Sequence, residues 1–178
     1  MKTGPPNSPS AAAAVAALCP ACGFCCNGVL FADVELQRSD DAARLRALGL
    51  RFAAKGGKQC FCQPCPGFDG RLCRLYAERP ERCRTFACRL LQRVIAGELA
   101  PAAALRSVTA AARVAGRVRD LVRALGETDE TLPLHRRSAR IMAQPLDFAG
   151  DESVLEQRSE LMLTVDRLAK RLARDFLT

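Results

Sequence analysis

The chain divides by pattern near its midpoint. Beyond residue 100 apolar side chains return at three- and four-residue steps. Leu105, Val108, Ala112, Ala115, Val118, Val122 and Leu125 follow Pro101 in this way, and Gly126 closes the run. That spacing lays one apolar stripe along a helix over 101–125, with proline in the first turn, where its missing N–H costs nothing. A second stripe, Leu155, Met162, Val165, Leu168, Leu172 and Phe176, predicts a helix over 153–177 opened by a Ser153…Glu156 capping box. Shorter helices are expected over 89–96, stopping at Gly97, and around 137–143.

The first half carries no such stripes. Residues 1–17, polar and proline-rich and then mostly alanine, read as a disordered tail. Val29–Leu36 alternates partly and is β-prone. Ser39-Asp40-Asp41 starts a helix that should stop at Gly49; residues 51–54 are extended, and Gly56-Gly57 breaks them. Asp69-Gly70 between two short β-prone runs predicts a two-residue hairpin in which Phe68 faces Arg71 and Pro66 faces Cys73. A bulge at Gly67 would then bring Cys65 and Cys73 to one side. Arg79-Pro80-Glu81 starts a further helix, with proline as its first helical residue.

The expected fold is mostly α: a small cysteine-rich, metal-stapled module with short β-hairpins over residues 18–90, followed by a helical half over 91–178 that packs on it. The staple follows from composition. Ten cysteines stand against one histidine, one tyrosine and no tryptophan, and every cysteine lies between Cys19 and Cys88. A segment so poor in large apolar side chains has little core of its own.

Compartment decides what the thiols do, because disulfides persist only where the surroundings oxidise. The run from Ala11 to Leu18 is short and weakly apolar for an export signal, and Leu18 stands where a lipoprotein Cys19 would need a small residue. No stretch approaches the ~20 apolar residues of a membrane span. The expectation is a cytoplasmic chain without membrane contact, its thiols reduced and metal-bound; an exported disulfide scaffold is the competing reading. The formal charge is +8. Eight thiolates and two zinc ions would bring it to about +4, so the basic excess partly serves the sulfurs. The basic residues carry no interleaved set of stacking aromatics of the kind single-strand binders use, which argues against nucleic-acid binding.

The cysteines fall into two groups. Cys19, Cys22, Cys25 and Cys26 form C-x2-C-x2-C-C; the C-x2-C spacing lets two thiolates converge on one ion. The run also resembles iron–sulfur ligation, without the usual ferredoxin tail. Adjacent Cys25 and Cys26 point apart in most backbones, so they serve two centres, or one centre and one packing role. The second group is Cys65, Cys73, Cys83 and Cys88. Five residues of helix turn about 500°, leaving Cys83 and Cys88 about 140° apart. Either the helix breaks near Thr85-Phe86 or the two serve different centres. Eight thiols suffice for two four-cysteine sites, or for one cluster plus one zinc. Cys60 and Cys62 are then surplus, alternative ligands or plain thiols.

The array C-x2-C-x2-C-C, then C-P-x-F-D-G-R-L-C-R-L-Y-x-x-R-P-x-x-C-R-T-F-x-C, resembles the CxxCxxCC cysteine-cluster family of YkgJ type, over Cys19 to Cys88 and the helix that follows. The resemblance implies chelation of zinc or iron, a 4Fe-4S cluster included, through Cys19, Cys22, Cys25, Cys26, Cys65, Cys73, Cys83 and Cys88. Some relatives carry iron–sulfur oxidoreductase labels, and a flagellin lysine methylase shares the cluster. An iron–sulfur redox or methyl/group-transfer enzyme therefore stands beside a plain metal-binding module.

Other residues read more plainly. Arg71, Arg74, Arg79, Arg82, Arg84, Arg89 and Arg93 crowd the second group as thiolate counter-charges, with an anion site as the sharper alternative. Tyr76 is expected in the core, and His135, the sole histidine, in a solvated loop. The apolar stripes of the C-terminal helices are core, with room for a protein partner or a second copy.

Overall fold

The computed structural model describes residues 9–146 and 151–177. Its elements are α1 (Pro9–Cys22), β1 (Asp33–Glu35), α2 (Ala42–Ala47), β2 (Phe52–Lys55), β3 (Lys58–Cys62), a 3-10 turn (Tyr76–Glu78), α3 (Glu81–Thr85), α4 (Arg89–Ile95), α5 (Pro101–Ala124), α6 (Leu134–Ala143) and α7 (Glu152–Asp175). The mostly α fold with a small antiparallel sheet is the one expected.

α5 and α7 form the long axis of the helical part. Val108, Ala111, Ala115, Val118 and Val122 of α5 meet Leu161, Leu168 and Leu172 of α7 and Ile141 of α6. Two features of α7 differ from the expectation. Met162 is 57% exposed and its neighbour Leu161 is fully buried, so the inner face of α7 lies one residue earlier. α7 is capped by Asp151, whose carboxylate accepts the Ser153 N–H at 2.8 Å; the expected capping box at Ser153 falls inside the helix. Asp is as good an N-cap as Ser, and here it comes first in the chain.

The alanine run read as part of a tail is helical from Pro9. Ala11, Ala14 and Leu18 are buried, and α1 packs on α4 and α5. Alanine has the highest helix propensity, and its small side chain lets α1 approach the bundle closely. Residues 1–8 lie outside the described residues. α1 thus roofs the helical core and leads straight into the first cysteines. Phe24 follows the same path, its ring 5.3 Å from that of Phe176 between centroids.

The sheet has the order β1-β3-β2, all antiparallel. Gly56 and Gly57 both take positive φ in the two-residue turn between β2 and β3. Only Asp33–Glu35 of the expected 29–36 run is strand. One face of the sheet covers a minor core of Leu45, Leu50 and Phe61. α2, capped by Asp41, is tied to α3: Asp40 accepts the Glu81 N–H at 2.8 Å, Ser39 bonds Glu81, and Arg44 pairs with Glu78 at 2.6 Å. The α6 start is fixed to the sheet side, where the Leu134 N–H bonds the Gly28 carbonyl at 3.0 Å and Arg51 donates to the Thr131 carbonyl at 3.2 Å. Among the described residues no helix is long and apolar enough to cross a membrane.

Candidate metal centre

The first cysteine loop unwinds from the end of α1. The Gly23 N–H returns to the Cys19 carbonyl at 3.1 Å, and the Cys26 and Asn27 N–H groups return to the Gly23 carbonyl at 2.9 and 3.0 Å. Gly23 has φ +63°, and a Cβ there would lie 2.4 Å from Cζ of Phe68. Only glycine therefore lets the Cys22–Cys25 turn rest on the loop that carries Cys65 and Cys73. The two loops are also joined by the backbone, the Cys65 N–H donating to the Cys26 carbonyl at 2.8 Å.

The second loop departs from the expected hairpin. Phe68 bridges Cys73, not Arg71. The Asp69 carboxylate accepts the N–H groups of Arg71 and Leu72 at 2.9 and 2.8 Å, and the Asp69 N–H bonds the Leu72 carbonyl at 3.1 Å. This side-chain cap closes a four-residue loop where a two-residue turn was expected. Further on, α3 carries Cys83 and ends at Thr85; Phe86 is extended, and Cys88 is the N-cap of α4. The helix breaks where the spacing required it to break or to divide its cysteines. Pro80 is the N-cap of α3, one position before that expected.

The sulfurs sort into two neighbourhoods. Burial pushes the Cys22 thiol up to about 12, and the sulfurs of Cys88 and Cys19 add to the push. Burial drives Cys25 well upward, with Cys22 and Cys88 next. Cys19 is more exposed, yet desolvation and then Cys88 raise it. In the other neighbourhood burial raises Cys26 to about 12, reinforced first by Cys65 and Cys73. Cys83 is raised to about 12 by burial, then by Cys26, Cys65 and Cys73. The electrostatic neighbours are thus Cys19, Cys22, Cys25 and Cys88 on one side and Cys65, Cys73 and Cys83 on the other, with Cys26 coupled first to Cys65 and Cys73 but also to Cys19, Cys22 and Cys25. Cys83 and Cys88 fall in different neighbourhoods, Cys88 joins the first cysteine run, and Cys26 borders both.

Backbone donors already face several sulfurs. Phe24 N–H lowers the cost of charge on Cys22, those of Gly67 and Phe68 do so for Cys65, and those of Leu91 and Leu90 for Cys88. N–H groups aimed at sulfur favour thiolate over thiol. Arg79 acts on sulfurs of both neighbourhoods: its charge eases Cys19, Cys26 and Cys83. Its guanidinium lies 3.6 Å above the Tyr76 ring centroid, and its Nε donates to the Tyr76 carbonyl at 3.0 Å. Tyr76 itself is 58% exposed, not in the core, because the 3-10 turn aims it outward as a platform for Arg79. Sequence spacing gave no sign that Arg79 differs from the other arginines. His135 is exposed, on the first turn of α6 and not in a loop.

All ten cysteines are free of disulfides. No group of three or more Cys, His, Asp or Glu side chains among the described residues already stands in a geometry that would hold an ion. The sulfurs are neighbours that binding would still have to draw together. Their chemistry fits a thiophilic cation: eight unbridged thiols in two neighbourhoods, most of them at least partly buried, with N–H support on three. Residues 18–101 match the family model CxxCxxCC, "Putative zinc- or iron-chelating domain". These residues are a CxxCxxCC domain. No curated protein and no solved structure matches the chain. The matched segment ends at the start of α5, so α5 to α7 extend beyond it.

Proposed function

We propose that the chain is a cytoplasmic metal-binding protein with two centres, one drawn from Cys19, Cys22, Cys25 and Cys88 and the other from Cys26, Cys65, Cys73 and Cys83. The observation that carries this reading is the separation of Cys83 from Cys88, five residues apart in sequence. Cys88 acts on Cys19, Cys22 and Cys25 and Cys83 is coupled to Cys26, so each joins sulfurs from the other end of the domain, while the strongest sulfur partners of Cys26 are Cys65 and Cys73. Tetrahedral zinc takes four thiolates, and a 4Fe-4S cluster takes four cysteines.

The side chains have definite tasks in this reading. The N–H groups of Phe24, Gly67, Phe68, Leu90 and Leu91 would lower the cost of charge on metal-bound Cys22, Cys65 and Cys88. Arg79 offsets charge between the two quartets, and Phe68 against Gly23 keeps the loops in register. A bound cation would supply the cohesion that the minor core lacks and, if it is iron–sulfur, one-electron chemistry. Ligand deprotonation couples uptake to proton release and to folding.

A second reading, an iron–sulfur redox or group-transfer enzyme, draws on one observation. The Tyr76–Arg79 stack is open to solvent beside Cys19, Cys26 and Cys83, where an anionic substrate could approach. Oxygen-free purification with element analysis and a visible spectrum tests both. Colourless protein with zinc near two equivalents supports the binding module; brown protein with iron and acid-labile sulfide supports the enzyme. Protein that takes up neither metal overturns both.

A further inference from the structure

Cys60 and Cys62 lie apart from both quartets. Residues two apart on a strand share a face. Between them Phe61, 1% exposed, turns toward Leu45, Leu50, Val34 and Phe52, on the side where Cys65 and Cys83 also pack. Cys60 and Cys62 therefore look out from the opposite face of β3. The register places Glu35 beside Cys60 and Asp33 beside Cys62 on that face.

Lys55 of β2 pairs with Asp33 of β1 at 2.9 Å, and Lys58 with Glu35 at 3.0 Å. β3 runs between β1 and β2, so the Lys55–Asp33 pair arches over it. The arch accounts for the burial of Cys60, which is 4% exposed on a face otherwise open to solvent. Cys62 is half-buried and gives access.

Spacing limits what the two sulfurs can do. Same-face neighbours on a strand are about 6.8 Å apart, two steps of about 3.4 Å. A disulfide needs β-carbons about 3.5–4.5 Å apart, so these two cannot oxidise to each other without breaking the strand. A two-coordinate ion adds two metal–sulfur bonds of about 2.3 Å, a span that two side chains leaning together can meet. Thiolates with no imidazole and no third sulfur select a soft cation. The complex of two thiolates with a monovalent ion carries one negative charge, and the Lys55 ammonium stands beside it.

We propose that Cys60 and Cys62 form a separate two-sulfur site on the outer face of the sheet for a soft monovalent cation of the copper(I) class, gated by the Lys55–Asp33 ion pair. Binding releases two thiol protons to solvent and forms two metal–sulfur bonds, with no change of oxidation state. The site uses none of the eight sulfurs of the quartets and stands whether or not that reading holds.

The test is a copper(I) titration of the full chain, purified without oxygen and carrying its native metal. Copper(I) is delivered from its bathocuproine disulfonate complex, and each point is read by alkylation and peptide mass mapping. The first equivalent should protect Cys60 and Cys62 together and release no zinc or iron. Cys62→Ala should abolish retention of that equivalent while native metal content stays unchanged, and Lys55→Gln should speed alkylation of Cys60 in the copper-free protein. A first equivalent that expels native metal while Cys60 and Cys62 remain alkylated overturns the proposal. So does wild-type retention in Cys62→Ala. Absence of any native metal would count against the quartets alone, since protection of Cys60 and Cys62 is read separately.

Discussion

The two cores of this molecule differ in what holds them. The helical bundle buries Val118, Val122, Ile141 and Leu161 almost completely and draws on α1, α4, α5, α6 and α7. Under the sheet only Leu45, Leu50 and Phe61 are buried, with partly exposed residues around them. Burying one large aliphatic side chain contributes about 1.5–3 kcal/mol, so three cannot offset the ordering of some fifty residues at about 1–2 kcal/mol each. The bundle can stand on packing. The sheet, its loops and α3 need another source of cohesion, and the free thiols lie within them and along their seam with the bundle, where Cys22 and Cys88 pack. One sequence thus shows two routes to order, and where side chains are too few the route runs through sulfur.

The sharpest way to break this comparison is to remove the metal. Cys22→Ser and Cys73→Ser should each lose metal and leave residues 33–85 unprotected in amide hydrogen exchange, while α5 and α7 stay protected. Cys60→Ser should do neither. Equal loss of protection in α5 and α7 would show a single cooperative unit and end the contrast. Next in size, Leu161→Ala should cost about 2–5 kcal/mol by denaturant unfolding, through lost burial and the cavity left behind. The loss should be the same with and without metal; a cost seen only in the loaded protein would tie the bundle to the sulfurs.

Gly23→Ala probes the seam between the regions. The left-handed backbone alone should cost about 1–2 kcal/mol, and the methyl group must also displace Phe68. Zinc competition with a chromophoric chelator should show weakened binding, with helix content by circular dichroism unchanged. Unaltered affinity would mean that the loops need no fixed register. The smallest effect is expected at the bundle's edge. Asp151→Ala should lower stability by about 1 kcal/mol through loss of the α7 cap, and Ser153→Ala by little. The reverse order would restore the capping box.

The long helices were readable because a buried stripe on a 3.6-residue period leaves its mark on every turn. Errors there were local: Leu161 for Met162, Asp151 for Ser153. α1 was missed because an alanine run has no stripe, and Pro20 lies inside it. The hairpin at Asp69-Gly70 was misread because turn residues specify a bend but not its length; the Asp69 carboxylate decided that. Sequence identified cysteines suited to metal but could not group them. Which sulfur meets which depends on Gly23 resting on Phe68 and on the break at Phe86, both long-range outcomes. Tyr76 looked like core by type, and only the 3-10 turn shows it to be a shelf for a cation.

The peptide bond joining Cys25 to Cys26 has one more consequence. A backbone pinned through one of these residues is pinned through the other. The first ion to be captured would thereby pre-shape the opposite pocket and leave it less entropy to lose. Half-filled molecules should then be scarce during gradual loading, and native mass spectra should pass from empty to doubly filled with little between.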